Sequence, residues 1–179
     1  MKLSPIIAAL RTFCPRFENR VGSVSQYEDL PDCGKLTLPA AYVIPGEDVV
    51  GEQRSQTDYW QSLTESFYVV VILNNARNQK GQYPSVDTLN EVRSEIWRAL
   101  LGWQPDPGCG AINYAGAEEA DSNRAEYHYL FKFNTETEIN AEDTRHYADL
   151  NNLPDLHTVA IDLNGQSSSV NSHLEMNIK

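Results

Sequence analysis

Apolar residues recur along this chain at two periods, and the changes between them mark out its elements. The clearest period of two runs through the sixties and seventies. There Leu63, Phe67, Val69, Val71 and Leu73 alternate with Thr64, Ser66, Tyr68, Val70 and Ile72, the spacing of a β-strand. Its first half is amphipathic and its second half apolar on both faces, as in a strand buried at the centre of a sheet. A second alternation fills residues 125–139, with Tyr127, Tyr129, Phe131 and Phe133 on one face and His128, Lys132, Asn134, Glu136 and Glu138 on the other.

Between these strands the period becomes three to four. Val86, Leu89, Val92, Ile96, Leu100 and Trp103 form one stripe and predict an amphipathic helix over about 85–102. Asp87 in its first turn and Arg98 in its last suit the helix dipole, and Gly102 and Pro105 end it. Trp97 lies one residue off the stripe, placed either to widen the core or to meet a neighbour. A shorter helix opens the chain, with Ser4 as N-cap, Pro5 in the first turn, Ile6, Ile7, Leu10 and Phe13 as its stripe, and Pro15 as its stop.

The remaining stretches are weaker. Residues 16–36 are polar and rich in turn formers and read as a loop; Leu36 to Ile44 read as a strand bent at Pro39, and residues 46–61 as a long hairpin loop. Ala111–Tyr114 reads as a short strand and Gly116–Asn123 as a polar turn. Residues 140–156 are polar and turn-rich, and the chain closes with two alternating segments, around 157–163 and 174–178, joined by a Gly-Ser-rich loop of mobile composition. The order carries no sustained βαβ alternation. It predicts an α+β fold, a mostly antiparallel sheet with the 85–102 helix and the N-terminal helix packed on it. No linker or repeat divides the chain, so we expect one domain over 1–179 with a mobile C-terminal arm at 145–179.

Composition narrows the function. A chain of 179 residues, 41% apolar and 22% charged, has the make-up of an ordinary soluble globular protein and buries roughly 70% of its unfolded surface. The apolar start is too short for a secretory signal, and no stretch approaches the ~20 apolar residues of a membrane span. Cys14, Cys33 and Cys109 are odd in number and widely spaced, which reads as three reduced thiols and a cytoplasmic setting.

Twenty-five acidic against fourteen basic residues give a net charge of −11, which opposes binding to a phosphate backbone. The charge is uneven. Residues 1–20 hold Lys2, Arg11, Arg16 and Arg20 against Glu18 alone, whereas residues 112–143 hold eight acids against Arg124 and Lys132. The acidic band reads first as a solvated face, and after that as a contact between copies or a surface that repels passing DNA.

Chemistry is scarce. No phosphate-binding glycine loop, nucleophile elbow or His-Glu-x-x-His motif occurs. His128, His146, His157 and His173 fall on separate segments and read as ordinary histidines rather than metal ligands. Glu136 and Glu138 share a strand face and would suit magnesium if Asp58 joined them, but a nuclease needs a basic path that the net charge denies. We therefore expect no enzyme, no cofactor and no metal. The residues best suited to an interface are Arg54, Tyr59 and Trp60, which gather hot-spot side chains at the end of the 46–61 loop.

Several segments together carry a family resemblance. Ala40-Ala-Tyr-Val-Ile-Pro45 with the acidic loop after it, Gln61-Ser-Leu-Thr-Glu-Ser-Phe-Tyr-Val-Val-Val71, Ile96-Trp-Arg-Ala-Leu-Leu-Gly-Trp103 with Pro105, and Tyr127 to Asp143 resemble the small tail terminator (tail completion) proteins of tailed bacteriophages and prophages. The resemblance implies helices flanking a sheet and six subunits forming a ring that caps the tail tube. It further implies a surface for the neck or head-completion protein, genomic DNA passing through the lumen without specific binding, no membrane partner, assembly in the host cytoplasm, and a final place at the tail–neck junction of the virion. The competing readings are a neck or head-completion adaptor and, from another class, an acidic DNA-mimic inhibitor.

Overall fold

The two alternating stretches become the two longest strands, and they pair with each other along their whole length. The computed structural model describes residues 1–30, 35–56, 58–75, 85–122, 125–153, 158–164 and 171–177, with side chains described as far as 153 except at 85–86 and 121–122. Strand β4 (Trp60–Asn74) runs antiparallel to β6 (Glu126–Asn140), in register from Trp60 opposite Asn140 to Asn74 opposite Glu126. Fifteen residues at about 3.4 Å each make a ladder roughly 50 Å long. The register is fixed where the apolar sides coincide: Phe67 faces Phe133 and Val69 faces Phe131, with the Phe67 and Phe133 rings stacked 5.4 Å apart. A slip of one residue would turn this apolar set to the opposite face of the sheet.

Around this pair the sheet is ordered β1 (Val21–Ser23), β2 (Ala40–Pro45), β4, β6, β5 (Asn113–Ser122), with the short β3 (Val49–Val50) also on β4. Only β1 on β2 is parallel among the described pairings. Helices α1 (Ser4–Phe13) and α3 (Ser85–Leu100) contribute Ile6, Leu10, Val92, Ile96 and Leu100 to one core with Phe67, Val69, Val71, Phe131 and Phe133. The other apolar side of β4, Val70 and Ile72, packs with Ala40 and Tyr42 under Tyr27, Leu30, Leu36 and Leu38. This is the α+β arrangement expected from the pattern, and β4 is apolar on both faces because both are covered. Trp97 widens the first core, its ring edge-on to Tyr114 at 5.0 Å.

Four stretches depart from the expectation. Residues 16–36 are not one loop: they hold a 3₁₀ turn (Pro15–Phe17), β1 and helix α2 (Val24–Glu28). A capping box starts α2, Ser23 taking the first-turn N–H while Gln26 accepts from the Ser23 N–H. These elements are too short to display a period. The expected polar turn at 116–123 is largely strand, because β5 runs from Asn113 to Ser122 at the sheet edge, where charged side chains are tolerated. Register shifts at Ala115 and Ala120 accommodate it. Ser4 does not cap α1; Leu3 holds the N-cap position, without a side-chain bond. In the polar stretch after 140, Thr144 caps a fourth helix, α4 (Arg145–Asn151), accepting from Tyr147 N–H. Its residues are exposed all round, so no apolar stripe announces it.

Chain contacts separate a unit Met1–Asn140 from a unit Ala141–Lys179. The second holds α4 and the hairpin of β7 (Thr158–Asn164) and β8 (Asn171–Asn177), which pair antiparallel as the closing alternation predicts. The Gly-Ser-rich joining loop, 165–170, lies outside the described residues, as do His157, Cys33 and most of the 74–81 loop.

Two outcomes follow from this packing. Phe133→Ala should cost about 3–5 kcal/mol in denaturant unfolding, the range for an emptied aromatic core position, whereas Phe13→Ser, at a site 63% exposed, should change stability by less than ~0.5 kcal/mol. Burial also pushes the Cys14 thiol from 9.0 up to about 12. Between those values the unfolded chain has lost this proton and the folded chain has kept it, so stability falls as pH rises from 9 to 12. Cys14→Ala should make that decline shallower in unfolding curves taken across the alkaline range.

Candidate functional site

The ladder is longer than the core that holds it. Past Phe67 towards its start, β4 continues for seven half-buried residues, Trp60–Ser66, still paired to Asn134–Asn140 of β6. On this extension lies β3, with Val49 opposite Thr64 and Val50 opposite Leu63. The chain returns against β4 closely: Gly46 N–H bonds Ser66 O at 2.9 Å and Gly51 N–H bonds Ser62 O at 2.8 Å. A side chain at Gly46 would sit 2.9 Å from Ser66 Cβ, so glycine is what lets the hairpin lie flat. Together these residues form a β-arm.

The three residues expected at an interface meet at the tip of this arm. The Arg54 guanidinium lies over the Trp60 ring at 5.3 Å, and Arg54 N–H bonds Trp60 O at 3.1 Å. Tyr59, 36% exposed, donates its hydroxyl to Gln61 Oε1 at 2.7 Å, and Gln61 in turn donates to Gly51 O. Gln53 fastens the turn, giving Nε2–H to Asp58 O and accepting from Trp60 N–H, both at 3.0 Å. The composition of the loop pointed to Arg54, Tyr59 and Trp60. It did not point to Gln53, or to Val49 and Val50, which are 63% and 51% exposed. Two valines between glycines and acids carry no period.

The charged regions separate in the same way. In the acidic band Glu118 pairs with Lys132 at 2.9 Å, and Glu126, 6% exposed, lies 3.3 Å from His128 Nε2. Glu136 and Glu138 stand on the arm opposite Thr64 and Ser62. Among the described residues no three acids, histidines or cysteines gather as a metal-binding set. At the basic end, Arg16 bridges Glu91 at 2.7 Å and Glu95 at 3.1 Å on α3. Arg20 reaches Glu18 at 2.6 Å and Pro39 O at 2.9 Å. Arg11 donates to Val21 O at 3.1 and 2.6 Å.

This arrangement offers strand edges, an arm and charged faces, which are the means of assembly. Matched against family models, residues 1–144 fit the phage tail terminator protein. This chain belongs to the phage tail terminator family. The match takes in the whole Met1–Asn140 unit, arm included, and stops before α4 and the β7–β8 hairpin. No curated protein matches the chain. Membership gives it a structural role in completing the phage tail. No helix among the described residues is long and apolar enough to cross a membrane.

The tip is fastened mainly by exposed contacts, so its side chains should matter little to folding. Trp60→Ala should lower unfolding free energy by no more than about 1–2 kcal/mol in thermal or denaturant melts, leaving a folded protein in which assembly can be measured by itself.

Proposed function

We propose that this chain caps the phage tail tube as a ring, six copies closing on the tube end, stopping further tube polymerisation and presenting a surface to the neck or head-completion protein. The observation that carries the reading is the family match over residues 1–144, on a unit whose longest strand pair extends past its own core. A cap works through faces rather than through an active site, and it needs no cofactor. In a cyclic ring one face of each subunit meets a different face of the next, and a chain with a basic end and an acidic band has such faces. Acids along the lumen would let genomic DNA pass by repulsion. Assembly would occur in the host cytoplasm, the finished ring standing at the tail–neck junction.

Within this reading the chain is one terminator domain with residues 145–179 as an appended arm. Arg54, Tyr59 and Trp60 at the tip of the β-arm contact the adjacent subunit or the tube. The DNA-mimic alternative needs a row of free carboxylates, whereas Glu118 is paired and Glu126 is buried.

Purified protein mixed with tail tubes of the matching phage should show rings at one tube end in negative-stain micrographs. Arg54→Ala with Trp60→Ala should reduce end occupancy by roughly tenfold, the loss expected for hot-spot side chains. Normal capping by that variant would remove the tip as the contact. Absence of end-binding by the unaltered protein would favour the neck adaptor.

A further inference from the structure

The order of the main sheet puts β1 at one end and β5 at the other. An end strand offers unpaired N–H and C=O groups on which another strand can add. β5 discourages this with two register shifts and the exposed acids Glu118 and Glu119. β1, Val-Gly-Ser, carries no charge, and its register on β2 runs unbroken.

What β1 has instead is a pair of side chains. The Arg20 carbonyl accepts from Ala41 N–H at 2.9 Å, which turns the next carbonyl, that of Val21, away from β2, and with it the Ser23 N–H. From α1, the Arg11 guanidinium donates to Val21 O through Nε at 3.1 Å and Nη2 at 2.6 Å. From α2, Gln26 Oε1 accepts from Ser23 N–H at 3.1 Å, so the bond that starts the helix also closes the strand. Gly22 lies between the two. A Cβ there would come within 2.6 Å of Gln26 Oε1 and 2.8 Å of Tyr42, so glycine leaves the Gln26 amide room to lie over the strand. As a result Val21 is 2% exposed and Gly22 is buried, although no strand among the described residues pairs with the outer side of β1.

The two capped groups are complementary, one an acceptor and one a donor, two residues apart on one edge. If two copies paired antiparallel about Gly22, Val21 would stand opposite Ser23 of the second copy, and each Val21 carbonyl would take the other's Ser23 N–H. We propose that Arg11 and Gln26 form an autoinhibitory clasp that stands in for this second strand and keeps free copies from pairing edge to edge through β1. Assembly is thereby left to other faces. Arg11 and Gln26 are themselves exposed, so the clasp can be removed without emptying the core. The inference is separate from the ring reading above and does not rest on it.

The test is sedimentation velocity of the full-length protein across a concentration series, with hydrogen–deuterium exchange read at the Ser23 amide. In the variant carrying Arg11→Ala and Gln26→Ala, at high dilution, that amide should exchange roughly fivefold faster than in the unaltered protein, the worth of one hydrogen bond. As concentration rises, the variant should sediment faster than the unaltered protein at the same concentration, and its Ser23 exchange should slow again as the edges pair. Arg11→Lys with Gln26→Glu, which keeps a donor and an acceptor, should behave as the unaltered protein does. Cooperative unfolding at dilution shows that a variant is folded; should the double alanine variant not fold, each single substitution frees one group and is read in the same way. Equal sedimentation of variant and unaltered protein at every concentration overturns the proposal, as does extra association that leaves Ser23 exchange unchanged.

Discussion

Everything in the main unit depends on the unbroken pairing of β4 with β6. The two strands match over fifteen positions, but the aromatic and aliphatic contacts that set the register occupy only the half from Phe67 onward, where α1 and α3 cover one face and the segment around Tyr27 and Leu36 covers the other. The same ladder therefore does two jobs. Where it is covered it is the core, and where it extends past the cover it is a stiff support for β3 and the tip. Backbone hydrogen bonds hold the extension straight without the burial that stabilises the rest. A loop of the same length would lose that stiffness to conformational entropy on each docking.

Charge is distributed to match. The basic end is partly spent inside the molecule, where Arg16 clamps α3 through Glu91 and Glu95. That clamp favours the protonated guanidinium and raises its pKa, chiefly through the hydrogen bond to Glu95. Arg20 is likewise paired, with Glu18 at 2.6 Å, and Arg11 donates to the Val21 carbonyl, whereas the stretch 46–61 holds four acids against Arg54. Arg11 closes the β1 edge with its two hydrogen bonds to the Val21 carbonyl.

The parts legible in the sequence were the long periodic ones. β4, β6 and α3 each repeat their pattern enough times for the period to emerge, and the double-sided burial of β4 was visible in Val69–Leu73. The unread parts were short or at an edge. β1 and α2 span three and five residues, less than a usable period. β5 looked like a turn because an edge strand next to solvent has no need of apolar alternation, and α4 is polar on every side. Within the candidate site, the clustering of Arg54, Tyr59 and Trp60 could be read from residue type alone. The exposed Val49–Val50 edge and the Arg11 cap on Val21 could not, because each exists only once distant segments are brought together.

The central claim, that this chain ends tube growth as a cap, is tested most directly by assembling tails in infected cells with its gene silenced and measuring tube lengths by electron microscopy. The account predicts tubes that continue past their normal length and carry no heads, with normal tails returning when the protein is supplied. Tubes of normal, uniform length that lack only heads would contradict it and assign the chain to joining rather than terminating the tail.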